Sequence, residues 1–593
     1  MSSSGTTSTA LANGTGDTAP SSNATTASSS STSQTMNILV HWDFLVLTAQ
    51  ITLSAMAIIW LGANSSLRRP PSAAPTKRKG KKRVEEDRFT EGFVASDAIM
   101  FPLLAGTVLI GLYYLIKWLQ DSDILNQLLR AYMSVMSVAS LGKLAADALH
   151  FLTTMAFPSI WSDRTGRLYR IDTSSRQQFL VSGDDVADTS VDDKKSPFPG
   201  RLSGVSFSEK TNNALWEIRH LFKEEWTVRM ALHGIAKGHV NIKLNDLLGF
   251  LFAIMTTMAY YLTGWYWLSN ILGSAFCYAA FTMISPTSFA IGTMVLAGLF
   301  IYDIVMVFYT PYMVTVATKL DVPIKLIFQG PSRSSILGLG DIVVPGIFIG
   351  LALRFDLWRH YTEQIKRIPT ELKSEFTGET PEKVVTTTET QYRSVKAPYV
   401  DPRGRWGDRI WTATNLTSIF STPTATPTLA ATAFSKPYFY ASMAGYAVGM
   451  LLTLTMLLVF NRGQPALLYL VPCVTGAVWM TGAVRGDLHD MWTYTEDGSL
   501  DTEDVVVEVD GNGNVVKEIT EKGEKEDEKH VKDGNGSVNE SGIAESSTAR
   551  RARNQSEKGE TRESPAATSR PGEGYDVFLF SITAPPAASV EDD

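Results

Sequence analysis

Two carboxylates stand inside apolar runs of this chain. Asp303 lies in Leu299-Phe300-Ile301-Tyr302-Asp303-Ile304-Val305-Met306-Val307, and Asp341 lies in Leu337-Gly338-Leu339-Gly340-Asp341-Ile342-Val343-Val344-Pro345. An apolar stretch of about 18 residues or more is long enough to cross a bilayer, and an ionisable group inside one costs free energy that a structural role rarely justifies. Function is the default reading of both. Two acids that meet in a low-dielectric site cannot both ionise, so the pair holds one proton. In that state the ionised acid can take a proton from water while the protonated one polarises a carbonyl, which is the chemistry of amide hydrolysis by an aspartic dyad.

The elements around the acids must let them meet. If one span ends near Thr310 and the next begins near Ser334, each aspartate lies about seven residues, or roughly 10 Å, inside the same membrane face. Consecutive antiparallel spans then bring the two to equal depth. Pro345 has no N–H, so in a helix the carbonyl of Asp341 is left without its ordinary partner. Gly338 and Gly340 remove side chains ahead of Asp341 and allow close approach of another backbone, although helix packing alone would also explain them.

Three motifs occur in order: Tyr302-Asp303, Gly338-Leu339-Gly340-Asp341 and Gln464-Pro465-Ala466-Leu467. With them the chain resembles the signal peptide peptidase and presenilin class of intramembrane aspartyl proteases. The runs Pro323 to Phe328 and Asp341 to Phe348 look more like signal peptide peptidase than presenilin. The similarity covers about 245–355 and 437–495 closely and the first three spans loosely. The resemblance implies an all-α polytopic membrane protein of nine transmembrane helices, presenilin-like, with Asp303 and Asp341 catalytic between the sixth and seventh. It implies that Tyr302, Gly338, Leu339, Gly340, Gln464, Pro465, Ala466 and Leu467 shape the site or bind substrate. Expected substrates are transmembrane helical peptides in the lipid bilayer, such as remnant signal peptides and type II membrane proteins. The expected compartment is the endoplasmic reticulum membrane; quality-control proteins there and a second copy of the chain are the partners it leaves open. No metal or other cofactor is implied.

Bulk properties agree with a membrane protein once they are resolved along the chain. The net charge of −7 is an average, because 24 Asp and Glu against 11 Lys and Arg fall from Thr495 onward. Nothing in this balance argues for nucleic acid, and no zinc spacing, Walker loop or dinucleotide fingerprint is present. Cys277 and Cys473, both in predicted spans, are the only cysteines and read as buried apolar thiols rather than a disulfide framework.

Residues 1–35, rich in Ser and Thr, are expected to be disordered and lumenal, with sequons at Asn13 and Asn23. Residues 36–157 carry spans one to three, near Ile38 to Gly62, Ala95 to Leu119 and Leu125 to Phe157. Eight Lys or Arg between Arg68 and Arg83 place the first connection in the cytosol. Lys143 and Asp147, four apart in span three, read as a self-neutralising pair with His150 close by. A hydrophilic insert fills 158–244, loop-like at first and then helical from Leu215 towards Ile235, where a membrane-surface amphipathic helix and a cytosolic partner helix are the alternatives.

Spans four to seven occupy 245–355, near Asp246 to Thr263, Trp265 to Ile284, Phe289 to Thr310 and Ser334 to Arg354, with Arg354 and Asp356 at the cytosolic edge of the last. A cytosolic loop spans 356–436, where the sequon at Asn415 should stay unmodified. Residues 437–485 hold spans eight and nine, with Pro465 at a helix start and Pro472 loosening the helix after it. The acidic tail, 486–593, is expected to be disordered and cytosolic.

Two rivals remain. Asp303 and Asp341 would be a proton relay in a proton-coupled transporter, but neither inverted repeats nor a path of further carboxylates is visible. A non-catalytic quality-control scaffold is the other, and two intact aspartates count against it.

Overall fold

The computed structural model describes residues 27–74, 91–319, 323–375, 386–413 and 432–497, with gaps at 94–95, 120–121, 164, 174, 182–195, 206, 233–235, 331–333 and 461–463, and three strands beyond 497. The sequons at Asn13, Asn23 and Asn415 lie outside the described residues.

Helix α1 (Ala27–Ser65) begins inside the stretch expected to be disordered. Strand β1 (Glu91–Phe93), α2 (Asp97–Leu119) and the long α3 (Ser122–Ala156) follow. The first insert is not loop-like. It folds as an antiparallel sheet of β2 (Ile160–Ser162), β3 (Leu168–Asp172) and β4 (Gln177–Val181), with α4 (Glu209–Lys223) against it. Trp161, Tyr169, Ile171 and Trp216 form their own buried cluster. The expected helix therefore stops at Lys223. Its buried side, Trp216 and Arg219, faces a folded unit, and β5 (Glu225–Leu232) and β6 (Ala236–Lys243) continue the chain as a hairpin.

The helices that position the acids come next: α5 (Leu244–Thr263), α6 (Tyr266–Met283), and α7 (Phe289–Ile304) after the short β7 (Ile284–Pro286). Helix α7 runs into a π-helical turn, Val305–Tyr309, and α8 (Tyr312–Lys319) follows. The start of the seventh span differs from expectation. Lys325–Gln329 (β8) and Ser334–Gly338 (β9) form an antiparallel hairpin, and α9 (Gly340–Glu363) begins only after it. Alternation explains this: Leu326 and Phe328 on β8 and Leu337 on β9 are buried, which is a strand's period of two. The equal-depth estimate, which assumes helix from Ser334, does not hold in that form.

The second insert contains the hairpin of β10 (Lys366–Glu375) and β11 (Thr386–Val395) and the short α10 (Trp406–Thr412). Helices α11 (Pro437–Phe460), α12 (Leu467–Arg485) and α13 (Leu488–Thr493) complete the bundle. In the tail, β12 (Val506–Val509) pairs with β13 (Val515–Ile519), and β14 (Phe578–Thr583) adds to β5. The expectations of an all-α chain and a wholly disordered tail are corrected at these strands, whose main-chain groups find partners through pairing.

The protein is helical, and among the described residues seven helices are long and apolar enough to cross a membrane: Phe44–Ser65, Asp97–Leu119, Leu125–Ala156, Leu244–Thr263, Phe289–Tyr309, Pro437–Phe460 and Leu467–Arg485. Of the nine expected spans, the two not among these are α6 and α9. Helix α6 carries Ser269, Asn270 and Ser274, and α9 carries Asp341, Arg354 and Asp356. The bundle shelters both. Along α9 every residue from Phe348 to Leu357 is buried, and α9 sits in the main core with α1, α7, α11 and α12. Polar groups on such a helix face protein, where partners can be supplied.

Two long-range ties hold the bundle ends. Arg354 and Asp356 do not sit at an exposed edge but are buried, at 4% and 2% exposure. Arg354 donates to Glu496 Oε1 at 2.8 Å, Ser66 Oγ at 2.9 Å and Ser285 Oγ at 2.6 Å, and Arg68 also pairs with Glu496. Asp356 accepts the main-chain N–H groups of Tyr438 and Phe439 at 3.3 and 2.9 Å, satisfying donors in the first turn of α11.

Candidate active site

Asp303 is the penultimate residue of α7, 3% exposed. Its Oδ2 accepts the main-chain N–H of Leu467 at 3.0 Å. Leu467 is the first residue of α12, so a carboxylate meets one of the orphan donors that every helix start presents. Asp341 occupies the first turn of α9, a helix that packs against α7. Asp303 and the Pro-Ala-Leu segment, 164 positions apart in the chain, thus come to one place, and α9 packs against both α7 and α12.

The glycines act by space. A Cβ on Gly338 would stand 3.3 Å from Asp341 Oδ2, so the absence of a side chain leaves room for that carboxylate. A Cβ on Gly340 would meet nothing within 4 Å. Leu339 N–H donates to the Ile324 carbonyl at 3.2 Å and fastens the hairpin base to the start of α9. Pro465 and Leu467 are buried, while Gln464 and Ala466 are half-buried. Gln464 Oε1 accepts from the Tyr469 hydroxyl at 3.5 Å. Tyr302 is half-buried, and its ring lies against α2, where a Cβ on Gly106 would stand 3.6 Å from it.

The β8–β9 hairpin leads directly to Asp341, and its two edges differ. Asn270 of α6 brackets Ile327 on β8: its amide donates to the Ile327 carbonyl at 2.8 Å and accepts the Ile327 N–H at 2.8 Å. One side-chain amide thereby stands in for a neighbouring strand. The far side of β9 pairs with no other strand among the described residues, and Ile336 on it is 56% exposed. An open edge next to two acids can accept an extended peptide through main-chain hydrogen bonds.

Other predicted pairs are placed elsewhere. Lys143 Nζ lies 2.9 Å from Asp147 Oδ1, and Asp147 Oδ2 also accepts from the Tyr278 hydroxyl at 2.6 Å. His150 Nε2 is 3.0 Å from Asp246 Oδ1, and its Nδ1 meets the Asn245 amide at 3.0 Å. Cys277 and Cys473 are free thiols, the first buried. Sequence reasoning missed Asn270, Glu496 and Tyr446, whose hydroxyl donates to the Asp341 main-chain carbonyl at 3.3 Å. The orphan carbonyl behind Pro345 was the one available signal for the last.

A family model described as signal peptide peptidase matches residues 85–498. The chain is 31% identical over 255 residues to intramembrane protease 2 of Caenorhabditis elegans, covering 41% of this chain and 42% of that one. It is 24% identical over 444 residues to the signal peptide peptidase of Homo sapiens, covering 73% and 82%. A probable intramembrane protease of Schizosaccharomyces pombe is 40% identical over 131 residues, 21% of this chain and 44% of its own length. No solved structure matches.

Proposed function

The chain belongs to the signal peptide peptidase family of multi-pass intramembrane proteases, and from that premise we propose that it is an aspartyl endopeptidase whose catalytic pair is Asp303 and Asp341. What supports this reading is that Asp303 accepts the first N–H of α12, while Asp341 opens α9, a helix packed against both α7 and α12, directly after the open edge of β9.

In the proposed reaction the pair holds one proton. The ionised acid takes a proton from water, and the resulting hydroxide attacks the scissile carbonyl while the protonated acid donates to its oxygen. As the tetrahedral intermediate collapses the C–N bond breaks, the leaving amine takes up the proton held by the pair, and one O–H of the intermediate returns its proton to the pair, leaving a carboxylic acid and a pair that again holds one proton. A membrane helix keeps its peptide bonds inside its own hydrogen-bond ladder, so it must be unwound first. The edge of β9 supplies replacement partners for the extended segment, and Gln464, Pro465, Ala466 and Leu467 close the far side of the site. Tyr302, Gly338, Leu339 and Gly340 shape it.

Nine crossings, counting α6 and α9 with the seven apolar helices, put the termini on opposite sides, and the basic run from Arg68 to Arg83 after the first span puts the N-terminus in the lumen of the endoplasmic reticulum and the tail in the cytosol. Substrates are single membrane-spanning segments, such as remnant signal peptides and type II proteins. The test is cleavage of a labelled signal peptide by purified protein with and without a transition-state inhibitor of aspartic proteases. Cleavage that the inhibitor blocks supports the reading; cleavage that it leaves untouched removes it.

A further inference from the structure

Pro345 stands four residues after Asp341 in α9, at the position whose N–H would otherwise bond the Asp341 carbonyl. A main-chain acceptor beside the reacting acids is thus left without its ladder partner. Tyr446 of α11 supplies one. Its hydroxyl donates to that oxygen at 3.3 Å.

The tyrosine is held away from water. It is 0% exposed and belongs to the main core, where a phenol hydroxyl needs a hydrogen-bond partner. Its neighbour Gly445 lets α11 and α12 touch along the main chain: a Cβ there would stand 2.6 Å from the Cys473 carbonyl oxygen. One turn on, a Cβ on Gly449 would stand 3.0 Å from Leu470 Cα. Helix α11 is therefore pressed against the helix whose first N–H reaches Asp303, and from α11 one hydroxyl reaches the main chain of residue 341.

We propose that Tyr446 is a positioning residue for Asp341, fixing the first turn of α9 through the carbonyl that Pro345 frees. The inference rests on the reading of Asp303 and Asp341 as the hydrolytic pair. A proline at 345 spares the first turn a ladder bond and would leave Asp341 loose; the tyrosine restores one bond from outside the helix. Orientation of the carboxyl towards its partner acid is what the bond protects.

The test is a cycle of Y446F, P345A and the double variant, measured as turnover of a labelled signal peptide and as binding of an aspartic-protease transition-state analogue. Phenylalanine keeps the ring and removes only the donor. Y446F is expected to lower kcat by about tenfold, the scale of one net hydrogen bond, with KM unchanged and analogue affinity lowered by the same factor. In the P345A background the restored main-chain N–H at position 345 bonds the carbonyl from within the helix, so adding Y446F should cost less than about twofold in either readout. Should the single variant fail to fold, the double variant, with no orphan acceptor, is expected to fold. Unchanged kcat in Y446F, an equal penalty in both backgrounds, or a double variant as unfolded as the single one overturns the proposal. Failure of the underlying reading looks different: D303N or D341N would then retain turnover.

Discussion

The main-chain N–H of Leu467 points at Asp303 Oδ2 from 3.0 Å, joining the acid of one helix to the first residue of another 164 positions away. A proline-led helix start and a buried carboxylate thus define one another. The distance between α11 and α12 controls where that N–H lies, and the glycines of α11 set the distance.

Substituting Gly445 should therefore disturb the site at a distance. In G445A the new Cβ would meet the Cys473 carbonyl oxygen at 2.6 Å, a main-chain atom that cannot rotate away. We expect lower thermal stability, by roughly 1–3 kcal/mol for overpacking, and a several-fold loss of turnover. G476A, where a Cβ meets nothing within 4 Å, is the control and should leave both near wild type.

The two glycines before Asp341 should respond unequally. G338A places a Cβ 3.3 Å from Asp341 Oδ2, so the carboxyl must shift and kcat should fall roughly tenfold or more, since small misplacement of a reacting group is costly. G340A meets open space and should cost less. Steady-state kinetics of both checks the order.

Asn270 should matter to the hairpin and not to the acids. N270L keeps the branching at Cγ but orphans the N–H and carbonyl of Ile327, each worth roughly 1–3 kcal/mol when buried unpaired. The expected outcome is a raised KM and faster amide exchange at Ile327, with analogue binding less affected than substrate binding.

Glu496 gives the bundle an acid limit. Burial pushes its carboxyl up, but Arg354 and Arg68, with hydrogen bonds from Arg354 and Tyr494, outweigh burial and hold it at about 2, below the ordinary 4.5. A depressed value means the stabilisation is complete above about pH 4.5 and is lost as pH falls through about 2. It amounts to roughly 3 kcal/mol. Thermal unfolding of wild type should fall across that window, and E496Q should be less stable at neutral pH with a flatter acid limb.

The acids and their motifs were legible because each is local: Tyr302 beside Asp303, Gly338 and Gly340 beside Asp341, Pro465 ahead of Leu467. The pairing of Lys143 with Asp147 was legible for the same reason, being one helical turn. What the sequence did not disclose is what distance in the chain hides. Arg354 and Asp356 looked like a polar edge because their partners, Glu496 and the start of α11, lie 142 and about 82 positions away. Asp408, accepting the N–H groups of Ser159 and Ile160 at 2.6 and 3.2 Å, joins the two inserts across 249 residues. The short β9 read as helix because Ile336 and Leu337 continue an apolar run, and only pairing with β8 distinguishes strand from helix in so few residues.

The most direct measurement is turnover of a labelled signal peptide by purified wild type, D303N and D341N across pH. Asparagine preserves shape and removes the shared proton, so both variants should remain folded and inactive, and wild-type turnover should fall on both sides of an optimum. Cleavage by either folded variant, or a wild-type rate independent of pH, would contradict the account.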